Sequence, residues 1–144
     1  MARPNAGKSG AEAVFIDTSF VLALVNPDDQ YHAWSVQAAA NLALNAVQRV
    51  TTEAVLIEIG NGLSRGRRRM LGLQAIRLLR NDPKLNIAPV DAALIDRAVE
   101  LFAARMDKEW GLTDCISFVV MRDLGLTRAL TTDDHFAQAG FRAI

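Results

Sequence analysis

Val14-Phe15-Ile16-Asp17-Thr18-Ser19 is a short apolar run that ends in an aspartate followed by two hydroxyl residues. The run reads as a β-strand, which puts the Asp17 carboxylate at the strand's carboxyl end, with Thr18 or Ser19 able to cap a following helix. A turn or capping aspartate would explain Asp17 alone. The arrangement recurs near the other end of the chain, where Ala129-Leu130-Thr131-Thr132 runs out into Asp133-Asp134-His135-Phe136. Either Asp133 or Asp134 can cap the short helix expected there. Asp133 is nearer the strand end and is taken as the site residue, with Asp134 in support.

Between these two strands, apolar runs alternate with helical patterns. Phe20 to Val25 and Tyr31 to Leu44 read as helices broken by Pro27-Asp28-Asp29, and Val47 to Thr51 as a second strand. Helices are expected from Glu53 to about Ser64 and from Arg67 to Arg80, and a strand over Lys84 to Pro89. Asp91 caps a helix bearing Leu94, Ile95, Ala98, Val99 and Phe102 at helical spacing, and Thr113 caps another from Asp114 to Leu124. Arg128 to Thr131 and Phe141 to Ile144 complete four to five strands. Strands alternating with helices imply an α/β fold whose parallel sheet is covered on both faces, with the ligand site at the carboxyl ends of the strands.

Residues 1–12, MARPNAGKSGAE, are small, polar and without periodicity, so a flexible tail is expected there, followed by one domain over 13–144. Within that tail Ala6-Gly7-Lys8-Ser9 lacks the first glycine and the preceding strand of a phosphate-binding loop. With 144 residues, 51% hydrophobic, the chain can bury a core without disulfides, and its one cysteine, Cys115, has no partner within it. No signal peptide or membrane-length apolar run is evident, which points to the cytoplasm. Sixteen basic residues balance sixteen acidic ones. Any contact with a polyanion must therefore be local, and Arg65, Arg67, Arg68 and Arg69, continuing to Arg77 and Arg80, form the one cation-rich stretch. A solvated helix face explains that stretch equally well.

Two further acids stand among apolar neighbours. Asp114 opens a helix made of Cys115, Ile116, Phe118, Val119, Val120 and Met121, where the helix dipole alone accounts for about 0.3–1 kcal/mol in its favour. Glu58 interrupts Ala54-Val55-Leu56-Ile57-Glu58-Ile59, with Asn61 one turn on. Gly60 and Gly62 weaken that helix and suggest a close approach to its face. Carboxylates brought together raise one another's pKa unless a cation neutralises them, and all-oxygen ligands suit Mg²⁺ or Mn²⁺. Two histidines and one cysteine are too scattered for zinc.

These residues resemble a known family, the PIN-domain ribonucleases, and in particular VapC-type toxins and their stand-alone relatives. The resemblance rests on Val14 to Ser19, on Thr52-Glu53-Ala54-Val55-Leu56-Ile57-Glu58, on Leu112-Thr113-Asp114-Cys115, and on Thr131-Thr132-Asp133-Asp134-His135-Phe136, in that order. It implies a PIN-like three-layer sandwich and an acidic pocket in which Asp17, Glu58, Asp114 and Asp133 are catalytic. Asp17, Asp114 and Asp133 would hold one or two Mg²⁺ or Mn²⁺ ions and hydrolyse RNA phosphodiesters with metal-activated water. Thr18, Ser19, Asn61 and Asp134 would support them. His32 resembles a histidine common in the family, where packing explains it best. An antitoxin protein is the implied partner, and the apolar segments Phe20 to Val25 and Tyr31 to Leu44 offer a partner groove or a homodimer face.

Other readings fare worse. A haloacid-dehalogenase-like phosphotransferase would need an aspartate where Ser19 stands, and a response-regulator receiver would need an acidic pair at the first strand. No Gly-x-Ser-x-Gly elbow supports a serine hydrolase. The remaining alternative is a PIN-fold scaffold that binds protein or RNA with little or no nuclease activity.

Overall fold

A computed structural model of the chain describes residues 12–144. Five strands form the sheet: β1 (Val14–Ile16), β2 (Arg49–Thr52), β3 (Leu85–Ala88), β4 (Arg128–Leu130) and β5 (Arg142–Ala143). Seven helices flank it: α1 (Thr18–Val25), α2 (His32–Leu44), α3 (Glu53–Gly62), α4 (Arg68–Asn81), α5 (Ala92–Ala104), α6 (Leu112–Asp123) and α7 (His135–Gln138). The strands run in the order β3-β2-β1-β4-β5, and every pairing is parallel. This is the α/β architecture expected from the alternation. Of the tail expected over residues 1–12, all but Glu12 lies outside the described residues, as does Ala6 to Ser9. Glu12 itself is held, accepting hydrogen bonds from the Thr127 N–H and hydroxyl.

The chain winds from β1 outward through β2 to β3, then crosses back to place β4 on the other side of β1. The strand order therefore reverses at β1, and a crevice opens between the carboxyl ends of β1 and β4. Register fixes that crevice tightly. Ile16 pairs with Leu130, and the Asp17 N–H continues the ladder by donating to the Leu130 carbonyl at 3.1 Å. Thr51 braces the other side, its buried hydroxyl donating to the Ile16 carbonyl at 2.8 Å.

Several local expectations need correction. Asp17 itself takes the N-cap position of α1, in place of Thr18 or Ser19, and its side chain makes no cap hydrogen bond because it is engaged elsewhere. Helix α6 starts two residues earlier than expected, with Gly111 as N-cap, so Thr113 lies inside it. Gly60 and Gly62 are not close-approach positions: a Cβ there would meet Ile76 at 3.5 Å or Leu22 at 3.7 Å, both ordinary contacts. The tight glycine is Gly72, where a Cβ would stand 3.0 Å from that of Leu63, so α4 lies close against the end of α3. Much of α1 faces inward, with Phe20, Val21 and Ala23 buried, while Leu22, Leu24 and Val25 are half-buried.

An aromatic cluster ties the sheet to the loops that carry the acids. Phe136 in α7 packs on Phe15 of β1 at 5.9 Å and edge-on to Phe118 of α6 at 5.0 Å, and Phe118 packs edge-on to Trp110 at 5.0 Å. The Trp110 indole N–H donates to Gln138 at 3.0 Å. Trp110 precedes the start of α6, and Phe136 follows His135. Both arms of the candidate site are thus nailed to one core. Truncating Phe136, which is fully buried, to alanine is expected to lower stability by about 3–5 kcal/mol in urea unfolding, the range for a large aromatic removed from a packed interior.

Candidate active site

Asp17 is 3% exposed at the end of the central strand. Its Oδ2 accepts hydrogen bonds from the Ser19 hydroxyl at 2.7 Å and the Thr131 hydroxyl at 2.8 Å. Ser19 in turn accepts the Thr132 N–H at 2.9 Å, which ties the start of α1 to the end of β4. Beside them Thr18 Oγ1 is buried without a hydrogen-bond partner among the described residues. Burial drives the Asp17 pKa up to about 6 despite the two hydroxyl bonds, and the charges of Asp133 and Asp114 push the same way.

Asp114, in the first turn of α6, accepts the Gly111 N–H at 2.9 Å and so caps its own helix. The same oxygen, Oδ2, lies 2.9 Å from His135 Nδ1. Burial again raises its pKa, opposed by the Gly111 and His135 hydrogen bonds and aided by the Asp133 charge. Asp133 accepts the His135 N–H on Oδ1 at 2.8 Å. Burial works against a charged His135, but the Asp114 hydrogen bond and the charges of Asp133, Asp114 and Asp17 outweigh it and raise the imidazole's pKa. The protonated ring then donates Nδ1–H to Asp114 and offsets part of the carboxylate charge.

Each of the three aspartates spends one oxygen on protein donors, and the described hydrogen bonds leave its other oxygen free. Donor atoms of Asp114, Asp133 and His135 lie within 4.8 Å of one another, a spacing that can hold a metal ion. His135 Nδ1 is taken up by Asp114 and can orient that carboxylate, as partners of ligating carboxylates commonly do. Asp17 stands outside this tightest set and is coupled to it through charge. Free carboxylate oxygens, an orphaned hydroxyl at Thr18 and raised carboxyl pKa values together fit a hard divalent cation.

The other expected site residues divide. Glu58 and Asn61 lie on α3 and line, with Asp17, Thr18, Ser19 and Asp133, an open cleft of about 490 Å³. Glu58 is exposed on the wall of that cleft and is not part of the Asp114–Asp133–His135 group. Asp134 lines a neighbouring cleft and caps nothing with its side chain. Arg65, Arg67, Arg68 and Arg69 are exposed around the turn into α4 and lie off the acidic cleft, with Arg69 donating to the Ser64 carbonyl at 3.1 Å. His32 packs structurally, its Nδ1 2.9 Å from the Ala23 carbonyl. Sequence reading passed over His135. Its signal was the Asp-x-His spacing, which lets an aspartate turn bring the His135 N–H onto Asp133.

A parallel sheet that reverses order at its central strand and gathers carboxylates there defines a class, the α/β proteins with an acidic, cation-holding pocket. The profile of the PIN domain family matches residues 14–142, and the chain belongs to the PIN-domain family. It is 32% identical over 130 residues, 89% of this chain and 95% of the relative, to the 23S rRNA-specific endonuclease VapC20 of Mycobacterium tuberculosis. The crystal structure of M. tuberculosis VapC20, a Sarcin-Ricin loop cleaving toxin, superposes with a TM-score of 0.83 at 28% identity, covering 91% of this chain and 98% of that one. VapBC2 from Rickettsia felis, bound to a promoter DNA fragment, shares the fold at a TM-score of 0.64 and 14% identity, covering 92% and 97%. The PIN-domain nuclease expected from the four sequence motifs agrees with these likenesses.

Asp17 sets a pH dependence for the metal-free protein. With a folded pKa of about 6 against an ordinary 3.8, the folded state holds this proton more tightly. The associated stability is complete below pH 3.8 and is lost as pH rises through about 6. In EDTA, Asp17→Asn is therefore expected to be the more stable form at pH 8, by up to about 3 kcal/mol, the gap closing toward pH 4. Thermal unfolding across that range checks it.

Proposed function

We propose that this chain is a Mg²⁺- or Mn²⁺-dependent endoribonuclease, the toxin of a toxin–antitoxin pair, acting in the cytoplasm on 23S rRNA as VapC20 is named for doing. The observation that carries the reading is that donor atoms of Asp114 and Asp133 lie within 4.8 Å of each other at the strand-order reversal, with buried Asp17 coupled to both by charge. Among the described residues no helix is long and apolar enough to cross a membrane.

In this reading Asp17, Asp114 and Asp133 hold the ion. Lewis-acid chemistry is what a bound divalent ion supplies there: acidification of water and relief of phosphodiester charge. The remaining roles belong to the chain. Ser19 and Thr131 fix the Asp17 carboxylate through Oδ2, and His135 fixes Asp114. Glu58, across the cleft from the aspartates, accepts or returns a proton at its exposed carboxylate, with Asn61 beside it to orient water or the strand. Arg65, Arg67, Arg68 and Arg69 have no carboxylate partner among the described ion pairs and are free to meet phosphates as RNA approaches. An apolar cleft of about 250 Å³ between α1, α2 and α4, lined by Phe20, Leu24, Leu42 and Leu78, supports an apolar antitoxin segment as the partner.

Purified protein should cleave a 23S rRNA sarcin–ricin-loop oligonucleotide with Mg²⁺ or Mn²⁺ and stop on chelation. Asp114→Asn should abolish cleavage while leaving the circular dichroism unchanged. Full activity of a folded Asp114→Asn protein would sink the metal-pocket reading. His135→Ala is expected to weaken metal affinity or activity about 10–100-fold, measured by Mn²⁺ titration, as for other groups that orient ligating carboxylates.

A further inference from the structure

Beside the acidic cleft lies a second one, of about 330 Å³, lined by Tyr31, Trp34, Thr132, Asp133, Asp134 and Ile144. The two share Asp133. Two large aromatics stand open in this second cleft, Tyr31 at 42% and Trp34 at 36% exposure, next to a site whose substrate is a nucleic-acid strand. Trp34 is held through its ring and Tyr31 through its backbone. The Trp34 ring packs edge-on against the buried Phe20 at 5.8 Å and 88°, which fixes its plane at the cleft. Tyr31 has its N–H bonded to Asp29 at 2.8 Å, and its carbonyl accepts both the N–H and the hydroxyl of Ser35 at 2.9 Å. The Asp134 carboxylate faces the same space and caps nothing.

We propose that the Tyr31–Trp34 cleft is a base subsite, seating the unpaired nucleobase that flanks the scissile phosphate. The proposal rests on the ribonuclease reading for its substrate, and it adds to that reading a requirement for a splayed base. Unpaired RNA bases are recognised by stacking on aromatic rings and by hydrogen bonds to their edges. The Trp34 ring, held against Phe20 before binding, loses little conformational freedom when a base arrives. Asp134, an acceptor only, selects an edge that presents amino hydrogens, as adenine, cytosine and guanine do. Uracil presents a single N–H between two carbonyls, which a carboxylate repels. Sharing Asp133 makes the arrangement continuous: a nucleotide with its phosphate at the aspartates has its base one step away, at the aromatics.

The test uses the whole chain and a sarcin–ricin-loop oligonucleotide in two forms, intact and with an abasic residue in place of the nucleotide on one side of the cleaved bond and then the other. Trp110 is buried, so quenching of tryptophan fluorescence reports Trp34, and its loss in Trp34→Phe assigns the signal. Intact RNA is expected to quench; the abasic form at one of the two positions is not, and its KM should rise about 5- to 150-fold, the range for one lost base–aromatic stack. Trp34→Ala should remove the difference between intact and abasic RNA, Trp34→Phe should restore it, and Tyr31→Ala, which leaves the Phe20 contact untouched, should reduce it. The idea is overturned if abasic and intact RNA behave alike with the unaltered protein, or if folded Trp34→Ala and Tyr31→Ala both keep the full difference. Quenching by intact but not abasic RNA without any cleavage would leave the subsite standing and remove the nuclease reading; cleavage with no abasic effect would do the reverse.

Discussion

Burying a carboxylate at the end of the central strand is the constraint to which the rest of the structure answers. Asp17 sits at the edge of β1 with strands on both sides, where an ionised group loses most of its hydration. Two hydroxyls, from Ser19 and Thr131, replace part of that hydration, and they come from the two elements that must lie side by side for the crevice to exist. The hydrogen bonds that satisfy Asp17 are therefore also those that close α1 onto the exit of β4. Stability and site geometry are one network here, and weakening the network loosens both.

Charge repulsion is what this network has to withstand. Asp114 and Asp133 each add a like charge near Asp17, and only the His135 imidazolium adds an opposite one from within the cluster. Hydrogen bonds within the cluster offset part of that repulsion, and apolar packing at a distance adds further attachment. Phe15, Phe136, Phe118 and Trp110 pack in series from the central strand to the start of α6. The aromatic series lies one residue from His135 on one arm and one residue from Gly111 on the other. A site that is unfavourable on its own is carried by the core that flanks it, as functional sites commonly are.

How much of this the sequence disclosed follows from what kind of information a pattern carries. Apolar runs and helical spacing describe each element alone, and these placed the strands, their alternation and the acids at strand ends, including Asp17 and Asp133. Relations between distant elements are not in the pattern. His135 touches Asp114 across 21 positions of chain, and only the packing of α7 against α6 makes that contact. Thr113 looked like a cap because its type is right, yet Gly111 takes the position and Asp114 supplies the acceptor from inside the helix. Gly60 and Gly62 drew attention as glycines in a helix, whereas the close approach falls at Gly72 against Leu63, a contact between two helices. Glu58 is expected among the catalytic acids but outside the metal-holding three, and α3 presents it exposed on the cleft wall, because a helix packed by Val55 and Ile59 turns position 58 outward.

A net charge of zero also conceals how charge is spent. Arg49 is committed to Asp82, Arg97 to Asp123, Arg105 to Asp107 and Arg128 to Glu12, so part of the basic complement is neutralised locally. Arg65, Arg67 and Arg68 make no such pair among the described residues, and Arg69 meets only a carbonyl. They stand at the turn that follows α3, the helix whose Glu58 and Asn61 line the acidic cleft. That edge presents exposed guanidinium groups without a carboxylate partner among the described ion pairs. Because exposed charges act over roughly 8–10 Å at physiological salt, their attraction is confined to that edge and leaves the rest of the neutral surface indifferent. Any contact of a polyanion with that edge is therefore local and sensitive to ionic strength.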